Sequence, residues 1–230
     1  MTGPAKVLIV TADDFGISRG VNRGIVEAHR DGILTSTSLM VNRPAAVEAA
    51  ALGRACPALS VGLHLELDSA GAPDVPTQLD RQLGRFGELV GAPPTHVDSH
   101  HDVHRDPRVL PHVRAWADRL GVPVRGWSPV RHLSKFYGQW GGETHLEQIS
   151  VAGLLRLLDT ELGAGVTELT CHAGYVDESL VSSYTIERVA EVRTLCDPRV
   201  RPALAERGVR LVGFRDLPAL AAPAVSEGAA

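Results

Sequence analysis

Only three cysteines occur in the 230 residues, at Cys56, Cys171 and Cys196, and no two of them have C-x-x-C spacing. That excludes a disulfide framework and a zinc knuckle, and it suits free thiols in a reducing compartment. Positive charge is also in short supply. With a formal net charge of -4 and a sequence pI near 6.2, the chain has no basic field for nucleic acid or an anionic membrane surface. No apolar run approaches the length of a membrane span, and the first strand begins without a cleavable signal pattern, so the cytoplasm is the expected location. Internal repeats, low-complexity blocks and domain linkers are missing. So is a G-x-G-x-x-G after the first strand, which argues against an NAD-dependent oxidoreductase. No G-x-x-x-x-G-K-[ST] phosphate cradle is found, and no GDxH or GNH[ED] pattern supports a metal-dependent phosphoesterase.

What is present is an ordinary globular composition, 44% hydrophobic and 22% charged. It predicts one domain over 1–221 and a frayed Ala-rich tail over 222–230. Short β-type runs alternate with helical patterns. Residues 6–11, 34–41, 60–66, 95–100, 122–126, 167–172 and 209–214 read as strands bounded by Gly, Pro or polar residues. Ser18 caps a helix over about 19–31 whose Val21, Ile25 and Ala28 share a face, and further helices are expected near 44–54, 107–120, 147–163 and 184–206. This α/β alternation predicts about seven parallel strands covered by outer helices, as a barrel or an open doubly wound sheet. Loops are expected over 68–76 and 127–146, and the second gathers Trp127, Phe136, Tyr137 and Trp140.

Polar residues at strand ends carry the functional signal. In "TADDFGIS" the acids Asp13 and Asp14 end the first strand, His64 lies near the end of the third, and His100 and His172 end later ones. The carboxyl edge of a parallel sheet is where sites are built, because side chains from several strands converge there. One carboxylate and two imidazoles form a three-donor set that leaves open positions on a divalent cation. A second carboxylate beside it can serve as a general base. Plainer readings exist for each piece: adjacent acids often form a solvated turn or a helix cap, and a lone strand histidine often satisfies the core. "HVDSHHDVH", with four histidines and two aspartates in nine residues, is hard to justify as filler. Strand alternation puts His96, Asp98 and His100 on one face. His100 is then the inward donor, Asp98 orients an imidazole, and His101 and His104 line the rim. Cys171 and His172 point to opposite faces and make no thiol dyad.

"VTADDFGIS..GVNRGI", "GILTSTSLMVN", "VGLHLEL", "THVDSHHDVH" and "TCHAGY.D" together resemble, in order, the signature segments of the YdjC/ChbG-like carbohydrate deacetylase family. That family includes the chitooligosaccharide deacetylases and the hopanoid-associated HpnK-like enzymes. The resemblance spans about residues 5–205. It implies a distorted (β/α) barrel that removes acetyl from an N-acetylated sugar with one divalent metal ion, zinc first, with magnesium or cobalt as options. It places Asp14, His64 and His100 as metal ligands, Asp13 as catalytic base and His172 as general acid. Arg125 is expected to pair with Asp13 or touch substrate. His101, His104, Tyr175, Asp177 and Trp127 are the remaining expected substrate contacts. Asp102 stands where the family commonly has histidine, Ala173 where it has proline, and the region before residue 95 is expected to lack a helix or substrate loop. A non-catalytic sugar-binding barrel is the rival outside enzymology, and a homodimer is the base-rate expectation.

Overall fold

The apolar run after Lys6 does not stop at Thr11. Strand β1 runs from Lys6 to Phe15, four residues past the expected 6–11, and carries both acids at its end. The computed structural model describes residues 5–67 and 74–221; the expected tail 222–230 and the 68–73 part of the first loop lie outside the described residues. After β1 come α1 (Arg19–Arg30), β2 (Ser36–Leu39), α2 (Ala46–Ala55), β3 (Ser60–Leu65), α3 (Val75–Val90) and β4 (Val97–Ser99). A 3₁₀ segment (His100–Arg105), α4 (Leu110–Leu120), β5 (Arg131–Leu133) and the hairpin β6 (Gln139–Trp140) and β7 (Glu143–Thr144) follow. The chain ends through α5 (Val151–Glu161), β8 (Gly165–Cys171), α6 (Ile186–Leu195), α7 (Val200–Glu206), β9 (Val209–Leu211) and α8 (Leu217–Ala221).

Seven parallel strands form one sheet in the order β4-β3-β2-β1-β8-β5, with β9 on the first half of β1, and the sheet curls into a half-barrel with helices around it. The second half of β1 pairs with β2, through Thr11 with Ser36 and Ala12 with Thr37. Alternation along β1 separates two cores. Leu8, Val10 and Ala12 join the large cluster under the helices, whereas Val7 and Ile9 meet Val130, Val212 and Phe214 on the inner face. Helix α1 is held as expected. The Ser18 side chain accepts from the Val21 amide at 3.2 Å, and Val21, Ile25 and Ala28 are fully buried, each of the larger two contributing on the order of 1.5–3 kcal/mol.

Four elements differ from expectation, each for a local reason. No strand forms over 122–126: Val124 makes only an isolated parallel bridge to Val97, and the chain turns away at Gly126, whose φ is 78°. The strand beside β8 is instead β5, inside the expected loop 127–146, where Arg-His-Leu is too short and polar to signal a strand. The expected helix 184–206 is broken between α6 and α7 at Asp197-Pro198, because proline lacks the amide and crowds the preceding turn. Conversely, a helix absent from the expected set forms at α3. In α3, Val75, Leu79, Gln82 and Phe86 form the buried face, and the polar Gln82 masks the stripe. Its amide is paired both ways with Glu66, donating to the carbonyl at 2.9 Å and accepting from the amide at 3.0 Å.

His96 fixes the inner face near the site. Its ring stacks on Phe214 with centroids 4.0 Å apart, and Gly62 is required opposite it, since any Cβ there would run into the ring. Burial, opposed by Asp98 and assisted by Arg125, lowers the His96 pKa to about 4. A base depressed in the folded state stays neutral there while the unfolded chain takes up a proton near pH 6.5. The contribution is therefore complete above pH 6.5 and is lost as pH falls towards 4. His96→Leu should flatten that dependence: between pH 7 and 4.5 it should lose about 2 kcal/mol less than the wild type in urea unfolding. Parallel stability curves for the two proteins would count against a neutral buried His96.

Candidate active site

Two adjacent strand residues normally point to opposite faces, yet Asp13 and Asp14 both line the same cavity. The reason is a bulge. Ala12 pairs with Thr37 and Phe15 with Leu39, so two β1 residues stand opposite Ser38. Asp14 takes up the extra residue in the left-handed region, at φ 67°. Both acids are buried, at 6% and 1% exposure. The other non-glycine residues with positive φ among those described are His101 (55°) and Asp102 (54°), and they line the cavity too. Strain of this kind costs on the order of 1–3 kcal/mol per residue and persists where surrounding contacts over-determine it.

Asp14, His64 and His100 converge from β1, β3 and the residue after β4, with one donor atom from each within 4.8 Å of the others. Asp14 Oδ1 lies 3.5 Å from His64 Nε2 and 3.2 Å from His100 Nδ1, within charge-pairing distance, but neither approach has hydrogen-bond geometry and this buried oxygen has no hydrogen-bond partner. Its sister Oδ2 accepts from Arg188 Nη2 at 2.6 Å. His64 Nδ1 is 2.7 Å from Asp98 Oδ1 and 3.1 Å from Ser38 Oγ, which turns Nε2 towards Asp14. Burial would lower the His64 pKa, but Asp98, Asp14 and Asp13 raise it to about 10. Burial likewise works against the Asp14 carboxylate, and His100, His64 and Arg188 hold it well below the usual carboxylate range. The arrangement stabilises positive charge where the three donors meet.

Arg125 anchors the other carboxylate. Its guanidinium donates to both Asp13 oxygens at 2.8 Å, lies 2.6 Å from Asp98 Oδ2, and reaches Glu168 Oε1 at 2.9 Å. Burial and the neighbouring Asp98 disfavour the Asp13 carboxylate, but Arg125 and His64 together outweigh them, so the Asp13 pKa is lowered. Burial raises Glu168 against the opposing effect of Arg125.

The facing wall comes from β5, the segment after β8, and α6. Tyr137 and Tyr184 stack on each other with centroids 4.6 Å apart, and His172 stands edge-on to both rings at 5.6 and 5.5 Å. Its Nδ1 is buried without a partner, and burial lowers its pKa against the influence of Asp14 and Asp13. The His172 amide donates to Glu191, which also accepts from the Tyr184 hydroxyl; burial pushes Glu191 up to about 8. His132 of β5 also faces the cavity, is lowered to about 4 by burial, and pairs with Thr170 Oγ1 at 3.2 Å. Arg188, Glu191, Tyr184, His132 and Glu168 are absent from the sequence reading. Charged residues at helical spacing, such as Arg188 and Glu191, ordinarily mark a solvated face. The one available signal was the density of strand-end histidines already in hand.

Asp13, Asp14, His64, His100, His101, Arg125 and His172 thus line one cavity of about 370 Å³. The remaining expected substrate contacts stand elsewhere. His104 is fully buried beneath the rim, with Nε2 donating to the Arg125 carbonyl and Nδ1 facing Ser99 Oγ at 2.7 Å. Trp127 stands edge-on to His104 at 5.8 Å and under Arg105. Tyr175 donates to Glu27 at 2.8 Å, and Asp177 accepts from the Gly20 amide, so both fasten the post-β8 loop to α1.

Fold and site together define a class: a parallel α/β half-barrel with acids and imidazoles gathered in a cavity at its carboxyl edge. The chain belongs to the YdjC-like protein family, whose model matches residues 7–80 and 72–206. It is 39% identical to a carbohydrate deacetylase of Geobacillus stearothermophilus, covering 92% of this chain and 98% of that one. It is 35% identical to a chitooligosaccharide deacetylase of Serratia marcescens, covering 92% and 99%. A crystal structure from Enterococcus faecalis V583, provisionally assigned to cellobiose-phosphate cleavage, superposes with a TM-score of 0.82 at 29% identity over 93% of this chain and 99% of that one.

Removing the central cation should expose the dependence of the site on Arg125. Arg125→Met strands Asp13, Asp98 and Glu168 without their shared partner and should destabilise the fold by about 3–5 kcal/mol, read as a lowered urea midpoint at pH 7. A loss below about 1 kcal/mol would mean that the carboxylates do not depend on this guanidinium for burial.

Proposed function

We propose that this protein is a metal-dependent carbohydrate deacetylase, hydrolysing the acetamide of an N-acetylated sugar or glycoside. The observation that carries the reading is the unpartnered, buried Asp14 Oδ1 beside His64 and His100. A carboxylate oxygen facing two imidazole nitrogens, with positive charge favoured between them, fits a divalent cation of the zinc or cobalt class; magnesium would need added waters. The names of the two deacetylase relatives supply the reaction class. A cavity of about 370 Å³ lies within the size range of small-ligand sites.

In this reading Asp14, His64 and His100 hold the cation, and Asp98 fixes the His64 ring so that Nε2 faces it. When bound, the cation supplies Lewis acidity that polarises the acetyl carbonyl and acidifies water. Asp13, kept ionised by Arg125, accepts the proton of the attacking water as general base. His172, across the cavity, donates a proton to the departing sugar amine. Its lowered pKa makes the imidazolium a stronger acid, present as a smaller fraction at neutral pH. The stacked Tyr137 and Tyr184 rings pack edge-on against that imidazole and fix its place on the wall.

The two acids should separate cleanly on substitution. His64→Ala, His100→Ala and Asp14→Asn should each lower metal content and acetate release together. Asp13→Asn should retain metal and lose on the order of 10²–10⁴-fold in rate. Elemental analysis beside acetate-release assays on a panel of N-acetylated glycosides provides both readings; full metal in the first three variants, or near wild-type turnover by Asp13→Asn, would sink the division of roles. If O-acetyl esters turn over while every N-acetyl compound is inert, the substrate class is an ester.

A further inference from the structure

The two oxygens of Asp14 are treated differently by the protein. Oδ1 is buried and unpartnered, facing His64 and His100, while Oδ2 is taken by Arg188 Nη2 at 2.6 Å. Arg188 is itself held rigidly. Its side chain is 3% exposed, Nε donates to the Tyr184 carbonyl at 3.0 Å, and Nη1 donates to the His172 carbonyl at 3.3 Å. With the backbone of Asp14 fixed in the left-handed bulge, the carboxylate cannot swing to exchange its oxygens without breaking this contact.

Resting on the metal reading above, we infer that Arg188 is a positioning residue that restricts Asp14 to a single donor oxygen and so keeps a coordination position open for the acetyl group. A carboxylate can ligate a cation through one oxygen or both, and what else each oxygen bonds decides between them. One oxygen with two imidazoles makes three protein donors, the number that leaves room for water and substrate; a second oxygen would fill a further position with protein. The same guanidinium holds the carbonyl of His172, so the donor carboxylate on β1 and the imidazole after β8 are registered to each other through α6. A neutral side chain at 188 would release both.

The test uses cobalt(II) alone as the metal and acetate ion as the probe of the open position. Cobalt(II) absorbs more weakly in the visible as its coordination number rises. Arg188→Met should bind cobalt(II) at least as tightly as the wild type, absorb more weakly, and show little spectral response to acetate, whereas the wild-type spectrum should shift on acetate addition. Arg188→Lys, which keeps a cation within reach of Oδ2, should restore the wild-type spectrum. If Arg188→Met does not fold by circular dichroism, Arg188→Gln is read by the same criteria. A spectrum and acetate response identical to wild type in the neutral variant would overturn the assignment while leaving the metal reading intact, and so would loss of cobalt(II) from both the neutral and the lysine variants. Failure of the wild type to take up cobalt(II) would overturn the metal reading and the assignment together.

Discussion

The Arg125 guanidinium, enclosed by Asp13, Asp98 and Glu168, is the interaction on which the upper end of this half-barrel depends. Three carboxylates on the inner face of a parallel sheet would repel one another and resist burial. One bidentate cation among them makes their presence tolerable. Because Asp98 is held in this way, it can keep an oxygen on His64. Because Asp13 is held, the bulge of β1 can turn a second acid, Asp14, into the same cavity. The position of Arg125 itself rests on backbone: its amide donates to the Val97 carbonyl at 3.0 Å, and its carbonyl accepts from His104. A histidine expected at the rim thus serves the centre from below.

Local strain is concentrated where the chemistry would be. Asp14, His101 and Asp102 occupy left-handed backbone without being glycine, and all three face the cavity. Elsewhere among the described residues, positive φ falls to glycines. The fold tolerates this because the strands beneath are firmly paired, β1 with β2 and β8 on either side up to Ala12, and β4 with β3 along its length and with Val124 at Val97. Rigid pairing beneath a strained edge directs side chains that regular strand geometry would send apart.

Two arginines divide the two acids between them. Arg125 takes both oxygens of Asp13, which leaves that residue its charge and a fixed orientation. Arg188 takes only one oxygen of Asp14, which leaves the other facing the imidazoles. Neighbouring residues of one type thereby acquire different environments, and the difference lies wholly in partners contributed by distant segments.

Much was legible in the chain itself. Alternating apolar and helical periods fixed the parallel α/β class, because burial on both faces of a strand and on one face of a helix imposes different spacings. The crowding of acids and histidines at strand ends located the cavity, since the carboxyl edge is common ground for every parallel strand. Asp14, His64, His100, Asp13 and His172 were all within reach of that reasoning. Tertiary structure alone decided the rest. The bulge that points Asp13 and Asp14 the same way depends on register with β2, which no local pattern records. The strand at Arg131–Leu133 exists because β8 offers it an edge. The buried face of α6 carries Arg188 and Glu191, residues whose type argues for solvent, because their partners are a carboxylate, an amide and carbonyls more than ten residues away in sequence or across a turn. Local sequence sets which conformations are cheap; partners brought together by folding determine which costly ones are kept.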